Sequence, residues 1–168
     1  VVVAEVSSFQ LETIETFHPK VSAILNITPD HLNRHKTMEN YCKAKYQVFI
    51  NQSDVDYVIL NEQDEYFEEA KKLALGQVIT FNNQKATLRG AFSDGTSLYE
   101  NIGDRQELVC AIKDLKIVGA HNIENALAAI AICKAFGVPE EVIKEEIQKF
   151  AGVEHRLEFV CTKKGVDY

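Results

Sequence analysis

The 168 residues predict an α/β fold: a mostly parallel sheet flanked by helices, with a small antiparallel β patch. Three observations predict it. Short β-branched apolar runs alternate with stretches of helical period, the order that builds parallel sheets. Between residues 85 and 117 the alternation breaks into brief β-rich runs punctuated by glycine and aspartate, which is the texture of hairpins. The composition, 46% apolar and 26% charged, is that of a globular chain and excludes a disordered or fibrous one.

The elements follow in order. Val1 to Ala4 is β-branched and apolar and reads as a buried strand ending in the polar residues Glu5 to Ser8. Val21 to Leu25 repeats the pattern and ends in Asn26 to His31. Met38 to Ile50 reads as a helix, with Tyr41, Ala44, Lys45 and Val48 at helical spacings. Tyr57 to Leu60 is a third strand, Asp64 to Leu75 an acidic helix, and Val78 to Phe81 a fourth strand. The hairpin region holds Ala86 to Leu88, Ser97 to Tyr99 and Glu107 to Ile112, separated by Gly90, Asp94-Gly95 and Gly103-Asp104. It is inserted in the parallel sheet or lies along its edge. Two helices come next, Asn122 to Phe136, closed by Gly137, and one starting at Pro139 and reaching Phe150. Leu157 to Cys161 and the last residues read as a strand pair.

Eighteen basic against 25 acidic residues give a net charge of −7. Duplex nucleic acid is therefore excluded as a partner, since that binding draws mainly on phosphate neutralisation. No apolar run approaches the 18 residues of a membrane span, so no membrane partner is expected. Cys42, Cys110, Cys133 and Cys161 form no Cys-x-x-Cys pair and read as reduced, mostly buried thiols of a cytoplasmic protein. Met38 is the only methionine, so the chain is expected to be part of a longer protein.

Ligands of open α/β sheets bind beyond the carboxyl ends of the strands. Two polar clusters stand there, Glu5 to Ser8 and Asn26 to His31. If their strands are neighbours, Glu5, Asp30 and His31 converge on one rim. A carboxylate, an imidazole and nearby hydroxyls suit Mg²⁺ or Mn²⁺, while Thr28 or Asp30 equally suits a helix cap. His31 and His35 are four residues apart, but no glutamate follows His31 and Asn33-Arg34 is a poor ligand environment. Two partly exposed histidines are expected there instead of a zinc site. No Gly-x-x-x-x-Gly-Lys-[Ser/Thr] phosphate loop occurs.

Glu5-Val6-Ser7-Ser8-Phe9-Gln10-Leu11-Glu12 and Ile24-Leu25-Asn26-Ile27-Thr28-Pro29-Asp30-His31-Leu32-Asn33-Arg34-His35 resemble segments of the Mur ligases of peptidoglycan synthesis. Three more segments fit in the same order: Tyr41 to Lys45, Gly119 to Ala126 (Gly-Ala-His-Asn-Ile-Glu-Asn-Ala), and Gly152 to Glu158 (Gly-Val-Glu-His-Arg-Leu-Glu). The resemblance covers the whole chain. It implies that residues 1–168 are a part of a P-loop-NTPase-like central ATP-binding domain, with the phosphate loop upstream of Glu5 and a domain on either side. The fragment alone is then expected to be inactive.

Within the family, the Ser-Phe-Gln-Leu-Glu run is similar to the branch that joins D-glutamate to UDP-N-acetylmuramoyl-L-alanine. The resemblance implies a monomeric bacterial cytoplasmic ligase using ATP and two Mg²⁺ ions. The alanine carboxylate attacks the γ-phosphate of ATP, and the D-glutamate amine then displaces phosphate from the acyl phosphate. The residues carried over as catalytic are Glu5, His31 and Lys45, with Glu5 and His31 as Mg²⁺ ligands and Lys45 as a lysine carbamate, also near the metal. Asn122, Asn125, His155 and Arg156 resemble residues around the nucleotide. Ser7, Gln10 and Tyr41 resemble residues near the substrate or the carbamate. From pattern alone, Lys45 is a surface helix lysine, Asn122 an N-cap and Tyr41 a packed aromatic. Other readings are a sister Mur ligase, a folylpolyglutamate-type ligase, or a nucleotide-binding fragment without turnover.

Overall fold

The computed structural model describes residues 1–117, 119–153 and 161–167. A six-stranded sheet runs β1 (Val21–Ile24), β2 (Tyr57–Asn61), β3 (Gln77–Asn82), β4 (Gly90–Ser93), β5 (Ser97–Glu100) and β6 (Glu107–Ala111), in that spatial order. β1 to β4 are parallel neighbours, and β4, β5 and β6 are antiparallel. The hairpin patch thus continues the edge of the one sheet. A separate hairpin joins β7 (Thr162–Lys163) to β8 (Val166–Asp167), and residues 157–160 of the expected strand pair lie outside the described residues.

Residues alternate between the two faces of a strand, and the sheet has a core on each. Ile59, Ile79, Phe81, Ala91 and Leu98 pack under α5 (Ala120–Phe136) and α6 (Glu140–Lys149). On the other face Ile24, Val58 and Leu60 pack with α1 (Ser8–Leu11), α3 (Met38–Tyr46) and α4 (Phe67–Leu73). The small residues Ala126, Ala128 and Ala131 let α5 lie close across β1 to β4. Gly137, at φ 87, ends that helix in the left-handed cap expected of it. Glu100 is 1% exposed, accepts from the Ile102 amide at 2.8 Å, and has Lys134 Nζ of α5 2.5 Å from Oε1. Oε1 has no hydrogen-bond partner of good geometry among the described residues, so charge pairing with that ammonium is what offsets its burial.

Several expected elements change. Val1 to Ala4 forms no strand: Val1, Val2 and Val3 are 97%, 91% and 95% exposed and pair with nothing in the sheet. Apolar β-branched residues favour a strand only where a ladder partner is present, and among the described residues the outer edge of β1 takes none. Ala86 to Leu88 is irregular, and β4 starts instead at Gly90, where a Cβ would fall 1.8 Å from the Thr80 carbonyl oxygen. The acidic helix is shorter than Asp64 to Leu75, because Asp64 turns the chain by accepting from the Tyr66 amide at 2.8 Å and the Ile27 amide at 2.6 Å. Cys42 and Cys110 are buried, whereas Cys161 is exposed. Among the described residues no helix is long and apolar enough to cross a membrane.

At the opposite end from the strand carboxyl termini, Asp56 Oδ2 accepts from His18 Nε2 at 2.7 Å, the Ser53 amide at 2.8 Å and Ser53 Oγ at 2.8 Å. The His18 bond, then the two from Ser53, hold the Asp56 carboxyl far below the usual range. A depressed carboxylate contributes stability above its ordinary value, about 3.9, and that contribution is lost as pH falls toward its folded value. Asp56→Asn is therefore expected to lower Tm by a few degrees at pH 7 and by much less near pH 2. Thermal melts at the two pH values check it, and an equal deficit at both contradicts it.

Candidate functional site

Because β1 to β4 are parallel, their carboxyl ends share one rim, and the polar residues after them meet there. A cleft of about 830 Å³ lies along the bare edge of β1. Ile132, Cys133 and Phe136 of α5 form one wall, and Leu11 and Val48 the other. Val1 to Val6 cross its mouth, and its polar end carries Glu5, Asn26 and Lys45. Lys20 and Ser22 also line the cleft. Asn26 opens the polar cluster that follows β1, although the sequence alone gives it no role of its own.

Lys45 sits on α3, with Nζ 5.4 Å from the centre of the Tyr41 ring one turn earlier. Burial pushes its ammonium below the usual lysine range, against the opposing pull of Asp64 and Asp30. Lys43, two residues away, points outward to Glu39 at 2.5 Å, and that hydrogen bond raises its pKa. Tyr41 is buried, and burial, followed by the Asp30 charge, raises its phenol. The two lysines are thus shifted in opposite directions, Lys45 down and Lys43 up.

His31 lies at φ 52 and ψ 26, a left-handed backbone that costs a residue with a side chain about 1–2 kcal/mol. Asp30 supports it: Oδ1 accepts from the His31 amide at 2.7 Å, and Oδ2 lies 3.2 Å from Nε2. Its ring is 44% exposed at the rim and packs at 4.7 Å against Phe9. The one-turn helix α2 (Leu32–His35) follows it. His35 corrects the expectation of two partly exposed histidines. It is 5% exposed, hydrogen-bonded to Ser8 and in contact with Glu12. Its position in the sequence gives no sign of this burial, which comes from α1 packing over it.

Ser7 is the N-cap of α1. Its Oγ accepts from the Gln10 amide at 3.3 Å, while Gln10 Oε1 takes the Ser7 amide at 2.8 Å and the Ser7 hydroxyl at 3.0 Å. The two therefore form a capping box and order α1 at the rim. Asn122 stands in the first turn of α5, behind Gly119 as N-cap, so the N-cap reading of Asn122 does not hold. Asn125 follows one turn on and is exposed. Between them, Glu124 accepts from Asn83 at 3.2 Å, which ties the start of α5 to the end of β3 at the same rim. His155 and Arg156 lie outside the described residues.

Among the described residues no three His, Cys, Asp or Glu side chains gather as a metal-ligating group. That donor set does not make an all-protein cage. Glu5 lines the cleft, whereas His31 and Asp30 stand at the rim outside its lining. Mg²⁺ keeps several waters and is held by one or two side chains together with substrate phosphates, so it does not require such a cage.

The Mur ligase middle domain family matches residues 1–133. The chain is 48% identical over all 168 residues to a UDP-N-acetylmuramoylalanine–D-glutamate ligase of Lachnoclostridium phytofermentans, covering 37% of that protein. It is 46% identical over 166 residues to the ligase of the same name from Lachnospira eligens, again 37% of its length. The chain thus spans about 37% of the length of the curated relatives it matches. Among solved structures, MurF from Acinetobacter baumannii superposes with a TM-score of 0.70 and 25% identity over 87% of this chain and 32% of its own. A UDP-N-acetylmuramoyl-L-alanyl-D-glutamate–2,6-diaminopimelate ligase superposes with a TM-score of 0.72 over 95% of this chain and 34% of its own, at 18% identity, a likeness of fold alone.

Proposed function

Since this chain belongs to the Mur ligase family, we propose that it is part of the central ATP-binding domain of an enzyme that joins D-glutamate to UDP-N-acetylmuramoyl-L-alanine. The single observation that carries this reading is 46–48% identity along nearly the whole chain to ligases of that name. The enzyme's place is then bacterial peptidoglycan synthesis in the cytoplasm, with consequences for cell shape and division.

The reaction needs a carboxylate to attack a phosphate, two anions that repel. The alanine carboxylate forms a bond to the γ-phosphorus as ADP leaves, and the D-glutamate amine then forms the amide as phosphate leaves. Glu5 and His31 would hold Mg²⁺, which supplies charge neutralisation where phosphate and carboxylate oxygens crowd. Lys45, as the free amine its burial favours, takes up CO₂, releases a proton and becomes a carbamate anion. The centre of the Tyr41 ring lies 5.4 Å from Lys45 Nζ, and the ring walls one side of that amine. Ser7 and Gln10 order the α1 side of the rim, and the resemblance assigns Asn122, Asn125, His155 and Arg156 to contacts with the nucleotide. ATP and the UDP-sugar are the substrates this arrangement serves.

The test is phosphate release by the full-length enzyme. Release is expected only with ATP, the UDP-sugar and D-glutamate together. Equal release with L-lysine or diaminopimelate in place of D-glutamate moves the assignment to a sister ligase.

A further inference from the structure

A second polar cluster lies behind the rim, outside the residues given roles above. His35 Nε2 is 3.0 Å from Ser8 Oγ, and His35 Nδ1 is 3.3 Å from Glu12 Oε1. Glu12 Oε2 takes Arg34 through Nε at 3.2 Å and Nη2 at 2.5 Å. The hydrogen bond of the ring is therefore to Ser8 through Nε2, and Nδ1 faces the Glu12 carboxylate at ion-pair distance. Phe9, between Ser8 and Gln10 on α1, stacks on the His35 ring at 5.6 Å and 5° and meets the His31 ring with its other contact at 4.7 Å. The Arg34 guanidinium lies 5.3 Å from the same Phe9 ring.

Ser, His and Glu in this order are the residue types of a nucleophile, its base and an orienting carboxylate. Here the geometry serves something else. Ser8 is 5% exposed and Phe9 and Tyr41 pack against the imidazole, so no acyl group reaches the hydroxyl. What the cluster does reach is α2. That turn is four residues long and is bracketed by two left-handed residues, His31 at φ 52 and Lys36 at φ 70. A single turn has too few internal bonds to impose such a backbone at both ends. Contacts from outside must hold it. They come from His35 and Arg34 to α1, and from Asn40 Nδ2, which donates to the His35 carbonyl at 2.9 Å.

We propose that His35, locked between Ser8 and Glu12, is a positioning residue that fastens the α2 turn to α1 and so holds the His31 ring at the rim. This rests on the ligase reading, in which His31 meets the metal, and extends it to three residues that reading leaves idle. Ring contact through Phe9 and the covalent turn from His31 to His35 are the two routes of action. Residues that orient a metal ligand from behind typically matter by about 10–100-fold in metal affinity or activity.

The experiment uses the full-length enzyme with a non-hydrolysable ATP analogue, titrated with Mn²⁺ and followed by electron paramagnetic resonance of the free ion. His31→Ala, His35→Phe, His35→Gln and Ser8→Ala are compared. His35→Phe keeps the stacking but loses both polar contacts, and is expected to weaken Mn²⁺ binding by about 10–100-fold. His35→Gln, whose side-chain amide can still pair with the Ser8 hydroxyl, is expected to recover most of it, and Ser8→Ala to fall between. Amide exchange at Arg34, His35 and Lys36 is expected to accelerate in His35→Phe while exchange in β2 and β3 stays unchanged. If His35→Phe does not fold, His35→Gln and Ser8→Ala carry the comparison, and wild-type Mn²⁺ affinity in Ser8→Ala then overturns the proposal. Wild-type affinity in His35→Phe alongside lost binding in His31→Ala overturns the role of His35 and leaves the ligase reading standing. Wild-type affinity in His31→Ala overturns the metal role itself, and the positioning role with it.

Discussion

Full-length enzyme carrying Lys45→Ala is expected to lose ligase activity by roughly 10³-fold, with added formate or acetate restoring part of it. The expectation follows from depth more than from sequence. Lys45 lines the cleft, as Glu5 and Asn26 do, and burial lowers its pKa, while Lys43 two residues earlier is ion-paired outside. Only the free amine reacts with CO₂, and an ordinary lysine near 10.4 is almost wholly protonated at neutral pH. The resulting anion would stand among Mg²⁺ and phosphate, where one fixed charge removed from a catalytic site costs about 10²–10³. A small carboxylate occupies the vacated anionic position, whereas Lys45→Arg supplies a cation and is expected to stay inactive. Steady-state rates with and without carboxylate check this, and normal turnover by Lys45→Arg returns Lys45 to an ordinary helix lysine.

His31→Ala and Glu5→Ala are expected to reduce kcat by a similar or larger factor while leaving the fold intact. Metal charge at a phosphoryl transfer supplies several kcal/mol of transition-state stabilisation, and each 1.36 kcal/mol is tenfold in rate, so roughly 10³-fold is the expected scale. Neither side chain belongs to either hydrophobic core. Glu5 is exposed at the mouth of the cleft and the His31 ring is exposed at the rim. Loss of rate should therefore come without loss of Tm. Equal rates at saturating Mg²⁺ in either variant contradict the metal role, and a Tm collapse contradicts the claim that these residues are spared structural work.

Much of the fold is legible in the sequence because its central strands are buried on both faces. Val58, Ile59 and Leu60 are a continuous apolar run since α5 covers one side and α3 and α4 the other. The failures have tertiary causes. Val1 to Val3 has the composition of a strand, but hydropathy reports a wish for burial and says nothing of a ladder partner. β4, Gly-Ala-Phe-Ser, has no strand-like composition; Gly90 is there because the Thr80 carbonyl leaves no room for a Cβ. Asp64 looks like a helix start, yet its carboxylate is committed to the Ile27 amide across the fold. The turn α2 escapes a periodicity argument because it is shorter than one heptad and enters and leaves through left-handed residues.

The site divides in the same way. The strand-end rule places the His31 loop after β1, whereas Glu5 lines the cleft with no strand before it, and periodicity treats Lys43 and Lys45 alike, as polar positions on α3. The two lysines differ only in what lies over them, and a linear sequence does not carry that information. The resemblance to the ligase family picks Lys45; the cleft supplies the physical reason. His35 is the opposite case, a residue that reads as half of an unconvincing metal pair and is in fact buried between Ser8 and Glu12.

An anionic Lys45 in the cleft along β1 is detectable by carbon-13 NMR of the full-length enzyme equilibrated with ¹³C-bicarbonate, ATP analogue and Mg²⁺. The expected result is one carbamate carbonyl resonance that persists in Lys43→Arg and vanishes in Lys45→Arg. A spectrum with no such resonance, or one that survives Lys45→Arg, rules out a carbamate at Lys45.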